Sequence, residues 1–228
     1  MSSYYTNKLA AERLQRCYEI APPRVQRYLH AEITHVRKKI LPENRVLELG
    51  CGYGRVLNYL APATLITVGI DISADSLRYA RRYLRRYSNC YLFLMDAAEL
   101  AFAADVFDRV ICIQNGISAF RITPLELIRE SLRVTKPGGI VLFSSYSDNF
   151  WIERLRWFQI QAEAGLVGEI DEEQTGDGVI VCKDGFRSTT FSREDFLSVT
   201  TTLPCRVIIE EVEESSLFCE IEVAHDKK

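Results

Sequence analysis

Short apolar runs alternate with helix-like patterns along the middle of the chain. The apolar runs predict five strands, at residues 45–49, 65–70, 91–95, 107–113 and 140–144. Between them, apolar side chains recur at helical spacing, which predicts helices at residues 73–87 and 124–134 and a shorter helix that ends near Leu60. This alternation is typical of an α/β fold, in which helices cover both faces of a mostly parallel, doubly wound sheet.

Further elements precede and follow this alternating core. Residues 1–42 are expected to form two helices separated at Pro22-Pro23, with the second helix ending at Pro42. After the fifth strand the pattern predicts a helix at 148–164, a hairpin at 179–187 with a two-residue Asp-Gly turn, a capped helix that begins at Ser192, and strands at 206–212 and 217–223. We expect one domain over residues 1–228, divided into 1–42, 45–145, 147–190 and 191–224.

Composition and charge exclude several classes of protein. Hydrophobic residues make up 47% and charged residues 26% of the 228 residues, which is typical of a globular chain. The net charge of −3 does not favour nucleic acid or an anionic membrane as a partner. The sequence has no apolar run of about eighteen residues and no pattern typical of a signal peptide, so we expect a cytoplasmic protein. The 7 cysteines include no C-x-x-C pair, and we expect neither a metal site nor a disulfide framework.

Glycines and acidic residues follow the first three predicted strands. Gly50, Gly52 and Gly54 come directly after the first strand and allow close approach of the backbone to a ligand. Asp71 ends the second strand, twenty-one residues after Gly50, and Asp96 follows the third. The carboxyl ends of these strands meet at one edge of a doubly wound sheet, where ligands bind. A nicotinamide dinucleotide and S-adenosylmethionine are both compatible with this arrangement so far.

Two features favour S-adenosylmethionine over the dinucleotide. Arg55 stands where the dinucleotide fingerprint requires its last glycine or alanine. A pyrophosphate also needs free amides at a helix N-terminus, whereas S-adenosylmethionine has no phosphate. The acidic residue Asp96 over the same edge of the sheet adds a further polar group for a nucleoside.

The motifs in this region resemble those of the class I S-adenosylmethionine-dependent methyltransferases. The matching segments, in family order, are Val46-Leu47-Glu48-Leu49-Gly50-Cys51-Gly52-Tyr53-Gly54, Gly69-Ile70-Asp71, Met95-Asp96-Ala97, Phe107-Asp108 and Lys136-Pro137-Gly138-Gly139. The resemblance covers residues 45–145 and the last two strands. It implies a Rossmann-like sheet of seven strands with an antiparallel last strand, to which the pattern above adds N-terminal helices and a helix-plus-hairpin insertion after strand five.

The resemblance also implies roles for residues at the strand ends. Gly50 and Gly52 would lie against the methionine part of S-adenosylmethionine, and Glu48 would orient its amino group. Asp71 would accept hydrogen bonds from the ribose hydroxyls and Asp96 one from the adenine amino group, and Ala97 would offer its backbone amide to a ring nitrogen. The full set of implied cofactor-binding residues is Glu48, Gly50, Cys51, Gly52, Gly54, Asp71, Ile72, Asp96, Ala97, Ile113, Gln114 and Asn115. The product of methyl transfer would be S-adenosylhomocysteine.

The acceptor is less well defined by the sequence than the donor. Asn115, Tyr146 and Asp148 follow strands four and five and are the candidate catalytic residues. A small molecule is the expected acceptor. A protein methyltransferase, an aminopropyltransferase-like enzyme and a non-catalytic S-adenosylmethionine-binding module remain alternatives. Both a monomer and a homodimer are compatible with each of them.

The segment 147–190 exceeds what a sheet crossover requires. Its aromatic residues Trp151, Trp157, Phe158 and Phe186 are expected to wall an acceptor pocket, to fill a core, or to form a dimer interface. Arg154 or Arg187 could anchor a carboxylate. The preferred hypothesis is that this segment is a lid over the acceptor.

Overall fold

The strands and helices were determined from a computed structural model that describes residues 4–225. The remaining ends of the predicted 1–228 domain lie outside the described residues. The strands are β1 (Arg45–Leu49), β2 (Ile66–Asp71), β3 (Cys90–Leu94), β4 (Phe107–Cys112), β5 (Thr135–Tyr146), β6 (Val179–Val181), β7 (Arg187–Thr189), β8 (Arg206–Val212) and β9 (Ser216–Glu222). The helices are α1 (Tyr4–Asn7), α2 (Ala11–Glu19), α3 (Pro23–Lys38), α4 (Leu57–Leu60), α5 (Ala74–Tyr83), α6 (Pro124–Val134), α7 (Trp151–Glu163) and α8 (Arg193–Thr200). None of the helices in this part of the chain is both long and apolar enough to cross a membrane.

Seven strands form one sheet in the order β3-β2-β1-β4-β5-β9-β8. The pairs among β1 to β5 are parallel, whereas β9 is antiparallel to both β5 and β8. The strand order reverses between β1 and β4, and this is the point at which open α/β sheets bind ligands. The predicted fold class, including the antiparallel last strand and the insertion after β5, is confirmed.

Successive side chains of each strand enter two different cores, because strand side chains alternate between the faces of a sheet. Val46, Ile111 and Leu142 pack on the face that α3 covers through Ile33 and Val36. The residues next to them on the same strands, Leu47, Val110 and Phe143, pack with α6 and α8 on the other face. Both faces are therefore buried, as a doubly wound sheet requires.

Several element boundaries differ from the sequence prediction. Helix α3 ends at Lys38, before Pro42, because Asn44 closes a turn by accepting a hydrogen bond from the Leu41 amide at 2.9 Å. Helix α5 ends at Tyr83 rather than at residue 87. Strand β5 begins at Thr135, and residues 136–139 form a bulge in its pairing with β4.

The β6–β7 hairpin has a longer turn than predicted. Val181 pairs with Arg187, and the Cys182 amide then donates to the Phe186 carbonyl at 2.9 Å. The turn therefore contains three residues, 183–185, with Gly185 at a φ of 95°. The prediction of a two-residue Asp-Gly turn was wrong because the ladder of hydrogen bonds ends earlier than assumed.

The N-terminal helices and the segment after β5 share one hydrophobic cluster. It joins Tyr28 of α3 and Tyr146 of β5 to Trp157 and Phe158 of α7 and Phe186 of the hairpin. The Trp157 indole also donates to the Cys17 carbonyl at 2.9 Å. We call these two segments together (residues 4–38 and 147–190) the cap, because they cover the carboxyl ends of the strands.

Candidate functional site

A cavity of about 270 Å³ lies where the carboxyl ends of β1 to β5 meet under the cap. Each of these strands contributes lining residues at its end: Gly50 after β1, Asp71 at the end of β2, Asp96 after β3, Gln114 after β4 and Tyr146 at the end of β5. The cap covers the opposite side with residues 4–6 and 185–188. The sequence-based expectation that these strand ends share one edge is met.

The glycine loop forms part of the cavity wall through backbone that only glycine adopts readily. Gly50 and Gly52 have φ values of 67° and 53°. A Cβ atom on Gly52 would come within 2.9 Å of the Leu14 side chain. Positive φ values strain any other residue, so this loop presents bare backbone to the cavity.

Gly54 does not line the cavity, contrary to the sequence prediction. Its φ is 86°, and an added Cβ would lie 2.5 Å from Leu84 next to α5. The lack of a side chain at Gly54 therefore allows Leu84 to pack closely against the loop and does not serve contact with a ligand. Cys51 does line the cavity, but burial raises the pKa of its thiol well above its usual range, which makes it inert as a nucleophile.

Asp71 is held in one orientation by the loop that it faces. One carboxylate oxygen accepts from the Gly52 amide and the other from the Ser73 amide, both at 2.8 Å. Burial raises the pKa of this carboxyl. Each oxygen keeps a free lone pair, so two vicinal hydroxyls can still donate to it. Ile72 lies beside it with 46% of its surface exposed, available to an apolar ring.

The end of β3 places only one of its two predicted residues on the cavity. Asp96 lines it, with one carboxylate oxygen accepting from the Ala98 amide at 2.9 Å. Ala97 is 1% exposed and packs in the core against the α6 face of the sheet. The Ala97 side chain therefore packs away from the cavity, whereas the role of its backbone amide toward an adenine ring nitrogen stays a prediction.

Three lining side chains have buried polar atoms without a hydrogen-bond partner. They are Glu48 Oε2, Arg55 Nε and Nη2, and Gln114 Nε2. The Arg55 guanidinium lies 4.8 Å from the centre of the Tyr18 ring, and the Tyr18 hydroxyl donates to Gln114 Oε1 at 3.0 Å. Burial raises the pKa of Glu48 to about 8. Unpartnered buried polar groups are costly, and a polar ligand would satisfy them.

The turn after β4 is strained and is held by a buried acid. Gln114 and Asn115 both have φ values near 60°, an unfavourable region for residues with a side chain. The Gln114 amide donates to Ser144 Oγ at 2.8 Å, and that hydroxyl donates to Glu32 Oε1 at 2.6 Å. Ile113 precedes this turn, is 7% exposed and lines the cavity.

Asn115 uses its side chain to connect elements rather than to face the cavity freely. Its amide nitrogen donates to the Thr189 carbonyl of the hairpin at 2.8 Å. Its oxygen accepts from Ser145 Oγ at 2.8 Å and from Ser118 Oγ at 3.1 Å. The side chain lies at the site as predicted, but these bonds favour a positioning role over a catalytic one.

The other two candidate catalytic residues have different environments. Tyr146 lines the cavity, and the Arg154 guanidinium lies 4.2 Å from the centre of its ring. Burial raises the pKa of the Tyr146 phenol, so its hydroxyl stays protonated and can donate a hydrogen bond at neutral pH. Asp148 is exposed in a short 3₁₀ turn after β5 and does not line the cavity, so we exclude it from the proposed acceptor site.

The aromatic and arginine side chains of segment 147–190 separate into two groups. Phe186 and Arg187 line the cavity, whereas Trp157 and Phe158 pack inside the cap. Arg154 is fully buried and donates to the Ser188 carbonyl at 2.9 Å and the Gly178 carbonyl at 3.0 Å. Its guanidinium therefore holds the hairpin and is unsuited to anchor a carboxylate.

Sequence reasoning missed part of the cavity. The lining residues that the sequence did not assign to the site include Tyr4, Tyr5, Tyr18, Arg55 and Phe120. The one available signal was Arg55, a charged residue directly after a glycine loop. The tyrosines come from the N-terminal segment, and their approach to the strand ends depends on long-range packing that spacing does not encode.

Comparison with known proteins gives matches over the sheet and its loops. A family model described as a methyltransferase domain matches residues 46–139. A fatty-acid O-methyltransferase of Mycolicibacterium smegmatis is 32% identical over 128 residues, which cover 54% of this chain and 43% of that protein. A malonyl-[acyl-carrier protein] O-methyltransferase of Erwinia pyrifoliae is 37% identical over 124 residues, covering 54% and 45%. This chain thus matches less than half the length of either relative.

A solved structure extends the likeness to the whole fold. The PH0226 protein of Pyrococcus horikoshii superposes with a TM-score of 0.66 at 22% identity, covering 98% of this chain and 99% of that one. At this identity the likeness concerns the fold alone. It includes the cap segments, which lie outside residues 46–139.

Proposed function

We propose that this chain, whose residues 46–139 match a methyltransferase domain, is a class I S-adenosylmethionine-dependent methyltransferase. In this proposal it binds S-adenosylmethionine in the cavity and transfers the methyl group to a small-molecule acceptor. The observation that carries the proposal is the set of unpartnered buried polar atoms on Glu48, Arg55 and Gln114, at the same edge as Asp71. The two relatives are, by name, O-methyltransferases of a fatty acid and of malonyl-[acyl-carrier protein], which supports a small acceptor group.

The residues present fit the chemical groups of S-adenosylmethionine. Glu48 offers an unpartnered carboxylate oxygen to an ammonium, and Arg55 offers two unpartnered N–H groups to a carboxylate. Asp71 retains lone pairs for two ribose hydroxyls, with Ile72 beside it for the adenine ring. Asp96 would accept from the adenine amino group. This match between donors, acceptors and charges is what we expect of a site for an amino acid joined to a nucleoside.

The bound donor would supply an activated methyl group on a sulfonium. In transfer, the acceptor's lone pair forms a bond to the methyl carbon while the carbon–sulfur bond breaks, and its electron pair stays on sulfur. The protein's part is to align the acceptor and to exclude water. Gln114 and Tyr146 would orient the acceptor by donating hydrogen bonds, and Phe186 would exclude water from above. We also propose that segment 147–190 acts as the lid of this site.

Two alternative functions would require other residues than those present at defined positions of the site. An aminopropyltransferase normally needs acidic residues after strand four, where Gln114 and Asn115 stand. A nicotinamide enzyme needs a glycine or alanine where Arg55 stands. A protein methyltransferase or a non-catalytic module that binds S-adenosylmethionine would share the donor site and differ only in the acceptor assay.

Calorimetry with matched variants tests the donor site. We expect S-adenosylmethionine and S-adenosylhomocysteine to bind, and NAD and decarboxylated S-adenosylmethionine to bind at least tenfold more weakly. Gly52→Val should abolish binding without unfolding the protein. Gly165→Val is the control for backbone strain, since Gly165 also has a positive φ of 67° but lies outside the cavity with open space around it. Normal binding by Gly52→Val, or preference for NAD, would contradict the proposal.

Incubation of the protein with labelled S-adenosylmethionine and a metabolite extract tests catalysis. We expect label to enter a small molecule and no label to enter protein. Binding of the donor without any transfer would instead support the non-catalytic alternative. Label in protein only would support the protein methyltransferase.

A further inference from the structure

Charged side chains are unevenly distributed along the cavity. Within residues 4–225, the acidic residues that line it are Glu48, Asp71 and Asp96, all at the ends of β1 to β3. On two other lining elements, the hairpin and the loop after β4, the charged lining residues are the arginines Arg187 and Arg121. The ends of β1 to β3 therefore contribute three carboxyl groups, with Arg55 of the glycine loop beside them, whereas the hairpin and the loop after β4 contribute arginines only.

The two rim arginines are free to bind a ligand. Arg187 and Arg121 are both exposed, and in the described part of the chain neither guanidinium has an ion pair or a hydrogen bond. This contrasts with Arg154, whose guanidinium holds the hairpin backbone. An arginine without a partner at a cavity rim can bind an oxyanion through paired hydrogen bonds.

The wall between the rim and the strand ends is aromatic and offers hydrogen-bond donors. Tyr5, Phe186 and Tyr146 line this part. The guanidinium of the buried Arg154 lies 4.2 Å from the centre of the Tyr146 ring and adds positive charge next to this aromatic residue. Gln114 Nε2 is a buried donor without a partner. Positive charge on this side attracts an anion and repels an ammonium group.

We propose that the acceptor is an organic oxyanion, a carboxylate or a phosphate monoester on an apolar or aromatic body. Its anionic group lies between Arg187 and Arg121 at the rim, its body lies against Tyr5 and Phe186, and its methylated atom points to Gln114 and Tyr146. This inference rests on the proposed methyltransferase function, because it assumes that the donor fills the part of the cavity at the ends of β1 to β3.

The experiment uses matched probes on protein saturated with S-adenosylhomocysteine. Three bodies (3-phenylpropyl, 2-indolylethyl and octyl) are each prepared as the carboxylate, the phosphate monoester, the amide and the amine. Calorimetry should show at least one oxyanion that binds at least tenfold more tightly than its amide and its amine. The tighter of the two oxyanions identifies which anionic group the rim prefers.

Variants assign the preference to the rim arginines. Arg187→Gln and Arg121→Gln should each reduce oxyanion affinity by about tenfold, the loss expected for one charge-assisted hydrogen bond, and should leave amide binding unchanged. Arg129→Gln on α6 is the control, since Arg129 is also exposed but lies outside the cavity. The inference is overturned if no oxyanion exceeds its amide, or if the preference survives in the Arg187→Gln, Arg121→Gln double variant. Failure of S-adenosylhomocysteine to bind at all would instead overturn the proposed function.

Discussion

Replacing Glu48 by glutamine is expected to stabilise the ligand-free protein and to weaken its binding of S-adenosylmethionine. Glu48 is 5% exposed, and its Oε2 has no hydrogen-bond partner. Burial raises the pKa of this carboxyl from 4.5 to about 8, against the opposing influence of Arg55. The Glu48 carboxylate therefore destabilises the ligand-free protein and is well suited to pair with a bound ammonium group.

The size of the stability effect follows from the two pKa values. Between pH 4.5 and about 8 the folded protein keeps a proton that the unfolded chain has lost, so this group lowers stability as pH rises through that range. At pH 7 the unfavourable contribution is roughly 3 kcal/mol, and at pH 5 it is below roughly 1 kcal/mol. Glutamine does not titrate, so it removes the pH dependence of this contribution.

Urea unfolding at pH 5 and pH 7 measures the effect, with Glu99→Gln as an exposed control. From pH 5 to pH 7, the free energy of unfolding of Glu48→Gln should rise by about 2 kcal/mol relative to that of the unmodified protein. The Glu99→Gln control should show no such rise. Calorimetry should show that the affinity of the unmodified protein for S-adenosylmethionine rises with pH up to about 8, and that Glu48→Gln loses this dependence. An unchanged pH dependence of stability would refute the reasoning.

Three further predictions concern the donor loop and the cap. Asp71→Ala should weaken S-adenosylmethionine binding by about 1–3 kcal/mol in calorimetry, and unchanged affinity would contradict its assignment to the ribose. Asn115→Ala, which removes the bond to the Thr189 carbonyl, should make the hairpin more sensitive to limited proteolysis and lower stability by about 2 kcal/mol; equal cleavage rates would count against a positioning role. Replacing residues 168–190 by a Gly-Ser linker, with Arg154→Leu to avoid an unpaired buried charge, should preserve donor binding and abolish methyl transfer; a normal rate would exclude the lid.

The fold was predictable because its hydrophobic pattern and its local capping signals agree. Helix α6 spans Pro124–Val134 as predicted, and its capping box of Thr123 and Glu126 fixes its start. Strand β8 also has its predicted bounds, Arg206–Val212. Boundaries were missed where a distant group or a side chain closes a turn, as Asn44 does after α3. Periodicity contains no information about such bonds.

The donor half of the site was more predictable than the acceptor half. Strand ends and glycines locate backbone, so Gly50, Gly52 and Asp71 could be placed on the cavity from spacing alone. Spacing does not tell where a side chain points after the strand ends. The side chain of Ala97 packs in the core and that of Asp148 is exposed to solvent, and spacing could predict neither.

The acceptor half depends on two segments that are far apart in sequence and touch in the cap. The Tyr4 hydroxyl donates to the Asp184 carboxylate at 2.7 Å, and the Lys8 ammonium donates to the Asp184 carbonyl at 2.9 Å. These bonds join the N-terminal segment to the hairpin tip directly over the cavity. The family match at residues 46–139 contains neither segment. The match to the methyltransferase domain therefore bears on the strand ends proposed to hold the donor, whereas the cap segments proposed to recognise the acceptor lie outside it.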